Sequence, residues 1–301
     1  MIRPITAGVD GSSESHAAVD WAADEARRRH LPLHLVHAGP RHPLPSTTAS
    51  ADHGELLGEE GVLREAATRT RTRHPGLHIS HEQASTDPLT ALLAAAGWTE
   101  LLVLGSRGLG TVAGFVLGSV SQSVIARAQR PVVLVRAKQR TLHEEHGGGD
   151  DWQSTGLPLA EVVVVGLDLG HPCDELIGFA FQAADVRHAE LHVVHAYCSP
   201  LSHDFAATHH TPPTDRVRMK ERGRALTQLL QPWREKWPRV SVVETVAPGN
   251  AAEPLLRAAS GAGLVIVGRR SHPGSLGLHT GPVTHAVLHH ADCPVVVVPR
   301  R

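Results

Sequence analysis

The chain has 301 residues, 41% hydrophobic and 20% charged, which is apolar enough for packed cores and excludes global disorder. Lys and Arg number 29 and Asp and Glu 30, so the net charge is −1 and the broad basic excess of a nucleic-acid binder is absent, leaving only room for a local basic patch. No run approaches the roughly 20 apolar residues of a membrane span, which argues against one.

The N-terminal MIRPITAGVDGSSES has no apolar core of signal-peptide length and enters a strand, ITAGV, at once. SHAAVDWAADEARRRH follows with helical periodicity, placing Ala17, Ala18, Trp21 and Ala22 on one face. LHLVHA is a second strand. A Pro-rich loop (His42 to Ser50) leads to helical GELLGEEGVLREAATRTRTR, whose Arg64, Arg69, Arg71 and Arg73 read as a solvated face. LHISHEQA is a third strand. DPLTALLAAAG is a helix with Asp87 at the N-cap, Pro88 at its first position and Gly97 as a stop. LLVL, GSVSQSVIARAQ and PVVLV complete a strand, helix and strand. These short apolar strands lack polar alternation, as in a parallel sheet buried on both faces.

The same order then recurs. PITAGVDGS is echoed by VVVVGLDLG and LPLHLVHA by AELHVVHA, at an offset of 158 that pairs Asp10 with Asp168 and His37 with His195. ELLVLGSRG is echoed by GLVIVGRRS and RPVVLVR by CPVVVVPR, at an offset of 163 that pairs Gly105 with Gly268 and Pro131 with Pro294. The expected organisation is a first domain over 1–138, a linker over 139–158 with its Gly147-Gly148-Gly149 run, and a second domain over 159–301. The fold class expected is α/β: two tandem doubly wound, five-stranded parallel sheets with a flavodoxin-like strand order. PVVLV and PVVVV, both terminal in their repeats, are edges suited to pairing across copies, within the chain or in a homodimer.

Ligands of open α/β sheets sit beyond the strand C-termini where the strand order reverses. The conspicuous residues follow strand ends: GVDGSS, His37-Ala38, and GSRGLGTVAGFVLGS from Gly105 to Ser119. In the last, Gly105 and Gly108 are followed nine residues on by Gly118-Ser119, at the start of a helix. Glycines allow close backbone approach and positive φ, and a helix start offers unpaired N–H groups and a positive dipole end to phosphate. Ser119 and Ser121 add hydroxyl donors. On chemistry alone, a phosphate cradle and a plain strand-to-helix connector both fit, and Asp10 equally fits a turn-forming Asx residue.

AGVDGSSES, GSRGLGTVAGFVLGSVS and the closing RPVVLV resemble the universal stress protein family, whose ATP-binding branch carries Gly-x2-Gly-x9-Gly-(Ser/Thr). The resemblance covers nearly the whole chain as two tandem domains, an arrangement similar to stress proteins of actinobacteria. It implies a bound adenine nucleotide, ATP, with Mg²⁺ as an ion that phosphates commonly hold. Asp10, with Gly8 and Val9 leading into its loop, would meet the adenosine, and Ala38 the adenine edge. Gly105 and Gly108 would lie along ribose and phosphates. Gly118, Ser119, Val120 and Ser121 would bind phosphate oxygens. In the second copy Asp168, Ala196, Gly268, Gly281 and Thr284 keep register, while Gly108 becomes Ser271 and Ser119 becomes Pro282, which removes an N–H and a hydroxyl. Arg269 and Arg270 would supply charge there instead, or be solvated. The expectation is a first site that binds ATP and a second that binds weakly or not at all.

The 23 histidines lack a thiolate partner or an HExxH helix, and read as solvated or packed rather than metal-ligating. No GxxxxGK[ST] motif is present, and Ser12, Ser13 and Ser15 have no evident base to activate them. The resemblance therefore favours a nucleotide-dependent regulatory module of stress response, with a regulatory protein partner and at most slow ATP hydrolysis. The rival is an enzyme that hydrolyses or adenylates with ATP on a related fold, because VDGSSES resembles the phosphate-binding turn of nucleotide alpha hydrolases. Cys173, Cys198 and Cys293 show no CxxC spacing, which fits a reducing compartment and a cytoplasmic protein.

Overall fold

The structure is a computed structural model that describes residues 2–39, 59–106, 117–137, 162–197, 213–270 and 280–300. The 139–158 segment, Gly108 and Ser271 lie outside the described residues.

The first half runs β1 (Ile5–Val9), α1 (Ser13–Arg29), β2 (Leu33–Ala38), α2 (Glu59–Arg73), β3 (Ile79–Ala84), α3 (Pro88–Trp98), β4 (Leu101–Ser106), α4 (Ser119–Arg127) and β5 (Val132–Arg136). The second repeats it as β6 (Val162–Leu167), α5 (Asp174–Asp185), β7 (Glu190–Tyr197), α6 (Pro213–Lys236), β8 (Val242–Pro248), α7 (Ala252–Ala259), β9 (Leu264–Arg270), α8 (Pro282–His290) and β10 (Val295–Arg300).

Local chemistry sets these boundaries. Ser12 caps α1 by accepting from the N–H of Ser15 at 3.1 Å, and His30 ends it in the left-handed region at φ 54°. Asp87 caps α3 by accepting from the N–H of Thr90, and Pro88 holds the first position, both as expected. Gly97 does not stop α3, which runs on through Trp98. Thr99 closes it instead, its hydroxyl donating to the carbonyls of Pro4 and Leu101.

All strands join one ten-stranded sheet in the order β3-β2-β1-β4-β5-β10-β9-β6-β7-β8. Each half is thus ordered 3-2-1-4-5, which corrects the expected flavodoxin-like order of 2-1-3-4-5. Five alternating strands and helices fit either order, because the order depends on which edge each crossover takes and not on periodicity. The reversal still falls beside the first strand, between β1 and β4.

Among the described residues every strand pairing is parallel except one, the antiparallel seam of β5 with β10. The two terminal strands do pair across the copies, and they do so within the chain. At the seam Val133 sits opposite Val296, its own counterpart at the repeat offset of 163, so a local twofold passes between them. The core has two layers continuous through the seam. One packs α1 and α5 on the sheet through Ala18, Ala22, Ile177 and Phe181; the other packs α4 and α8 through Val124, Ile125, Val287 and Leu288. Sheet residues alternate between them: Val133 and Val296 face the first layer, Val132, Leu134, Val295 and Val297 the second.

Candidate functional site

A cavity of about 190 Å³ opens beyond the C-termini of β1 and β4, at the strand-order reversal. Its lining brings together Gly8, Val9 and Asp10 from the end of β1, Ala38 from the end of β2, Gly105 from β4, and Gly118, Ser119, Val120 and Ser121 from the start of α4. These residues come from four separate stretches of sequence. Gly108 lies outside the described residues.

The cavity has an apolar wall of Val36, Leu92 and Leu104, residues that no sequence motif marks. Its polar edge carries Asp10, Ser12 and Glu14. The first turn of α4 also lines it, and there Ser119, Val120 and Ser121 have no intrahelical acceptor for their N–H groups. The helix dipole adds a partial positive charge at that end. Three oriented N–H groups beside an apolar wall suit a ligand with an anionic end and a flat apolar end.

Each glycine has its own cause. Gly105 does not adopt positive φ. A Cβ there would stand 2.6 Å from the carbonyl carbon and oxygen of Glu14 and 2.9 Å from the N of Ser15, so glycine is required where β4 meets the start of α1. A Cβ on Gly8 would meet Leu104 at 2.9 Å and Leu92 at 3.2 Å. Gly118 has φ −59°, which any residue adopts, so the backbone does not demand glycine at this cavity-lining position.

Asp10 is an Asx-turn residue as well as a lining residue. Its Oδ1 accepts from the N–H of Ser12 at 3.0 Å and from the Ser12 hydroxyl. His37 fixes the same loop, its Nδ1 donating to the Val9 carbonyl at 2.7 Å, and His195 repeats this on Leu167 at 3.0 Å. A carbonyl only accepts, so Nδ1 carries the proton in both rings. Ser121 donates its hydroxyl to the Gly105 carbonyl at 3.4 Å, and Thr284 donates to Gly268 at 2.9 Å. These hydroxyls tie each helix start to its strand end.

The equivalent cavity in the second half is smaller, about 100 Å³. Asp168, Ala196, Gly268 and Thr284 line it. Gly281 is the N-cap of α8 at φ 83°, a conformation that needs glycine, and is not among the lining residues. Pro282 opens α8 without an N–H. A Cβ on Gly268 would lie 3.2 Å from the Arg300 Cδ and 3.3 Å from Leu176, so side chains crowd the floor.

The expectation for Arg269 is overturned. Only 7% exposed, it neither faces this cavity nor is solvated; it crosses to the first half and donates to the carbonyls of Ala126 and Ala128, both at 2.6 Å. The antiparallel seam brings β9 near the end of α4, a proximity no local pattern encodes. The side chain of Arg270 lies outside the described residues.

Among the described residues no three His, Cys, Asp or Glu side chains converge on a cation site, and no helix is long and apolar enough to cross a membrane. His34, three residues before His37, is held by Ser80 at 2.9 Å, and burial pushes its pKa below the usual imidazole range.

The sequence profile of the universal stress protein family matches residues 1–136 and again 160–299. Universal stress protein Rv2005c of Mycobacterium tuberculosis (strain ATCC 25618 / H37Rv) is 31% identical over 310 residues, spanning 97% of this chain and 96% of that protein. Universal stress protein Rv1996 of the same strain is 30% identical over 320 residues, spanning 97% and 94%. The fold is also that of a universal stress protein from Archaeoglobus fulgidus DSM 4304, with a TM-score of 0.61 at 16% identity, covering 99% of this chain and 98% of that one.

Proposed function

The chain belongs to the universal stress protein family in both of its halves, and from that premise we propose that its first cavity binds ATP and that the protein is a nucleotide-dependent regulatory module of stress response. One observation carries the reading: nine residues assigned from the family motif, scattered between Gly8 and Ser121, line a single cavity at the strand-order reversal.

In this reading adenine lies against Val36, Leu92 and Leu104, with the Ala38 backbone at its edge. Asp10 holds the ribose side. The phosphates lie over the first turn of α4, where the N–H groups of Ser119, Val120 and Ser121 and the Ser119 hydroxyl meet their oxygens. Mg²⁺ accompanies the phosphates. The described cavity offers no base and orienter pair, so it holds the nucleotide rather than turning it over, with slow hydrolysis as the upper limit.

The same reading makes the second cavity a weak or silent site, because Pro282 withholds a donor and the cavity is tighter. The chain divides into domains 1–138 and 159–301, acts in the cytoplasm on a regulatory protein partner, and dimerises further.

Mass spectrometry of nucleotide released from the purified protein tests the proposal. Wild type is expected to release an adenine nucleotide, Gly118→Val none, and Ser119→Ala a reduced amount. Equal release from wild type and Gly118→Val would overturn it. Rapid formation of AMP and pyrophosphate from added ATP would favour the enzymatic rival.

A further inference from the structure

The helix whose first turn lines the first cavity is fastened at its other end by the second half. α4 has nine residues and so spans about 13 Å, a short rod with the cavity at one end and the domain seam at the other. The last carbonyls of any helix lack intrahelical partners. On α4, Arg269 takes up the carbonyls of Ala126, in the last turn, and Ala128, the C-cap. A guanidinium is also the charge that a helix C-terminus favours.

Arg269 forms no ion pair among the described residues. A buried cation held only by carbonyls of the other half is costly unless those contacts are good. The opposite half does likewise: Arg136, at the end of β5, donates to the Leu288 carbonyl at 2.8 Å, near the end of α8. The two arginines are not repeat counterparts, because at the offset of 163 Arg269 matches Ser106 and Arg136 matches Pro299. Duplication did not place them.

We propose that Arg269 is a positioning residue for the first cavity, through which the second half sets how tightly the first holds a phosphate-bearing ligand. The proposal rests on the reading above that phosphates lie over the first turn of α4. Arg269 acts in two ways: it fixes the axis of α4 so that the three N–H groups point into the cavity, and it completes the dipole that attracts the anion. The half with the degenerate cavity thereby contributes to the intact one. By linkage, a ligand in the first cavity tightens the seam in return.

Titration of the full-length protein with ATP and with adenosine tests this, using wild type, Arg269→Gln, Arg269→Lys and Arg136→Gln. Arg269→Gln is expected to weaken ATP about ten-fold while adenosine, which does not reach α4, stays within about two-fold of wild type. Arg269→Lys keeps the charge and should recover part of the loss. Arg136→Gln removes a half-buried contact of the same seam, made to α8 instead of α4, and should leave ATP binding unchanged. Wild-type ATP affinity in Arg269→Gln would overturn the proposal. So would equal losses of ATP and adenosine, or an equal ATP loss in Arg136→Gln, since either marks a general loosening of the seam. A wild type that binds no ATP would instead overturn the functional reading beneath it, before any variant is compared.

Discussion

A Cβ on Gly105 would stand 2.6 Å from backbone atoms of Glu14, whereas Gly118 at φ −59° has a backbone that any residue adopts. The two glycines of one motif should therefore fail differently. Gly105→Ala forces strand and helix apart at a cost of about 1–3 kcal/mol, lowering Tm by roughly 2–4 °C for each kcal/mol in a chain of this size. Gly118→Val should keep Tm close to wild type and abolish nucleotide binding, so calorimetric melts and binding assays on the pair separate fold from site. A loss of binding in Gly118→Val that tracked a large fall in Tm would contradict this. The sequence marks both glycines as unusual, but the reason for Gly105 lies some ninety residues away at Glu14, and no local spacing names that contact. Arg269 is a similar case. Its place at the C-terminal end of β9 suits an anion site, and only the seam shows that its partners are carbonyls at the end of α4.

At the scale of elements, α1 and α5 meet across the seam around one carboxylate. Arg29 and Arg187, counterparts at the offset of 158, both bind Glu25, whose own counterpart is Ala183. Burial by itself would raise the Glu25 pKa, but the two guanidiniums outweigh it and hold the carboxyl below its ordinary value of 4.5. A carboxyl depressed on folding stabilises the protein above its unfolded pKa and loses that contribution as pH falls through the folded one. Wild-type stability in denaturant should therefore drop below about pH 4.5. Glu25→Gln removes the charge that Arg29 and Arg187 both bind, costs about 3–5 kcal/mol near neutral pH, and flattens the acid limb. An unchanged acid limb in Glu25→Gln would contradict the assignment. The helices themselves were legible: Ala18 and Ala22 of the expected face are fully buried, and Asp87 and Pro88 start α3 as their chemistry requires. The Glu25 cluster was not legible, because its three members come from both copies and periodicity reports only on one helix at a time.

At the scale of the whole molecule, duplication and apolar terminal strands were readable from the sequence, while the choice of pairing β5 with β10 within the chain was not. The strand order within each half was not readable, because identical elements can step to either side of β1. Burial near the seam also governs the Cys293 thiol, whose pKa is pushed up to about 11 from an ordinary 9.0. A group whose pKa rises on folding contributes stability below its unfolded value and loses it as pH climbs through the folded one. Cys293 should thus resist a thiol-specific disulfide reagent at pH 8 in the native protein, react on unfolding, and sharpen the loss of stability between pH 9 and 11. Prompt labelling of native Cys293 would contradict its placement. The two halves also carry unequal cavities, about 190 and 100 Å³, with a full set of helix donors in the first and a proline in the second. Calorimetric titration of the full-length protein with ATP tests that asymmetry most directly. The prediction is one ATP per chain, lost in Gly118→Val; two ATP per chain, or a stoichiometry that Gly118→Val leaves unchanged, would contradict it.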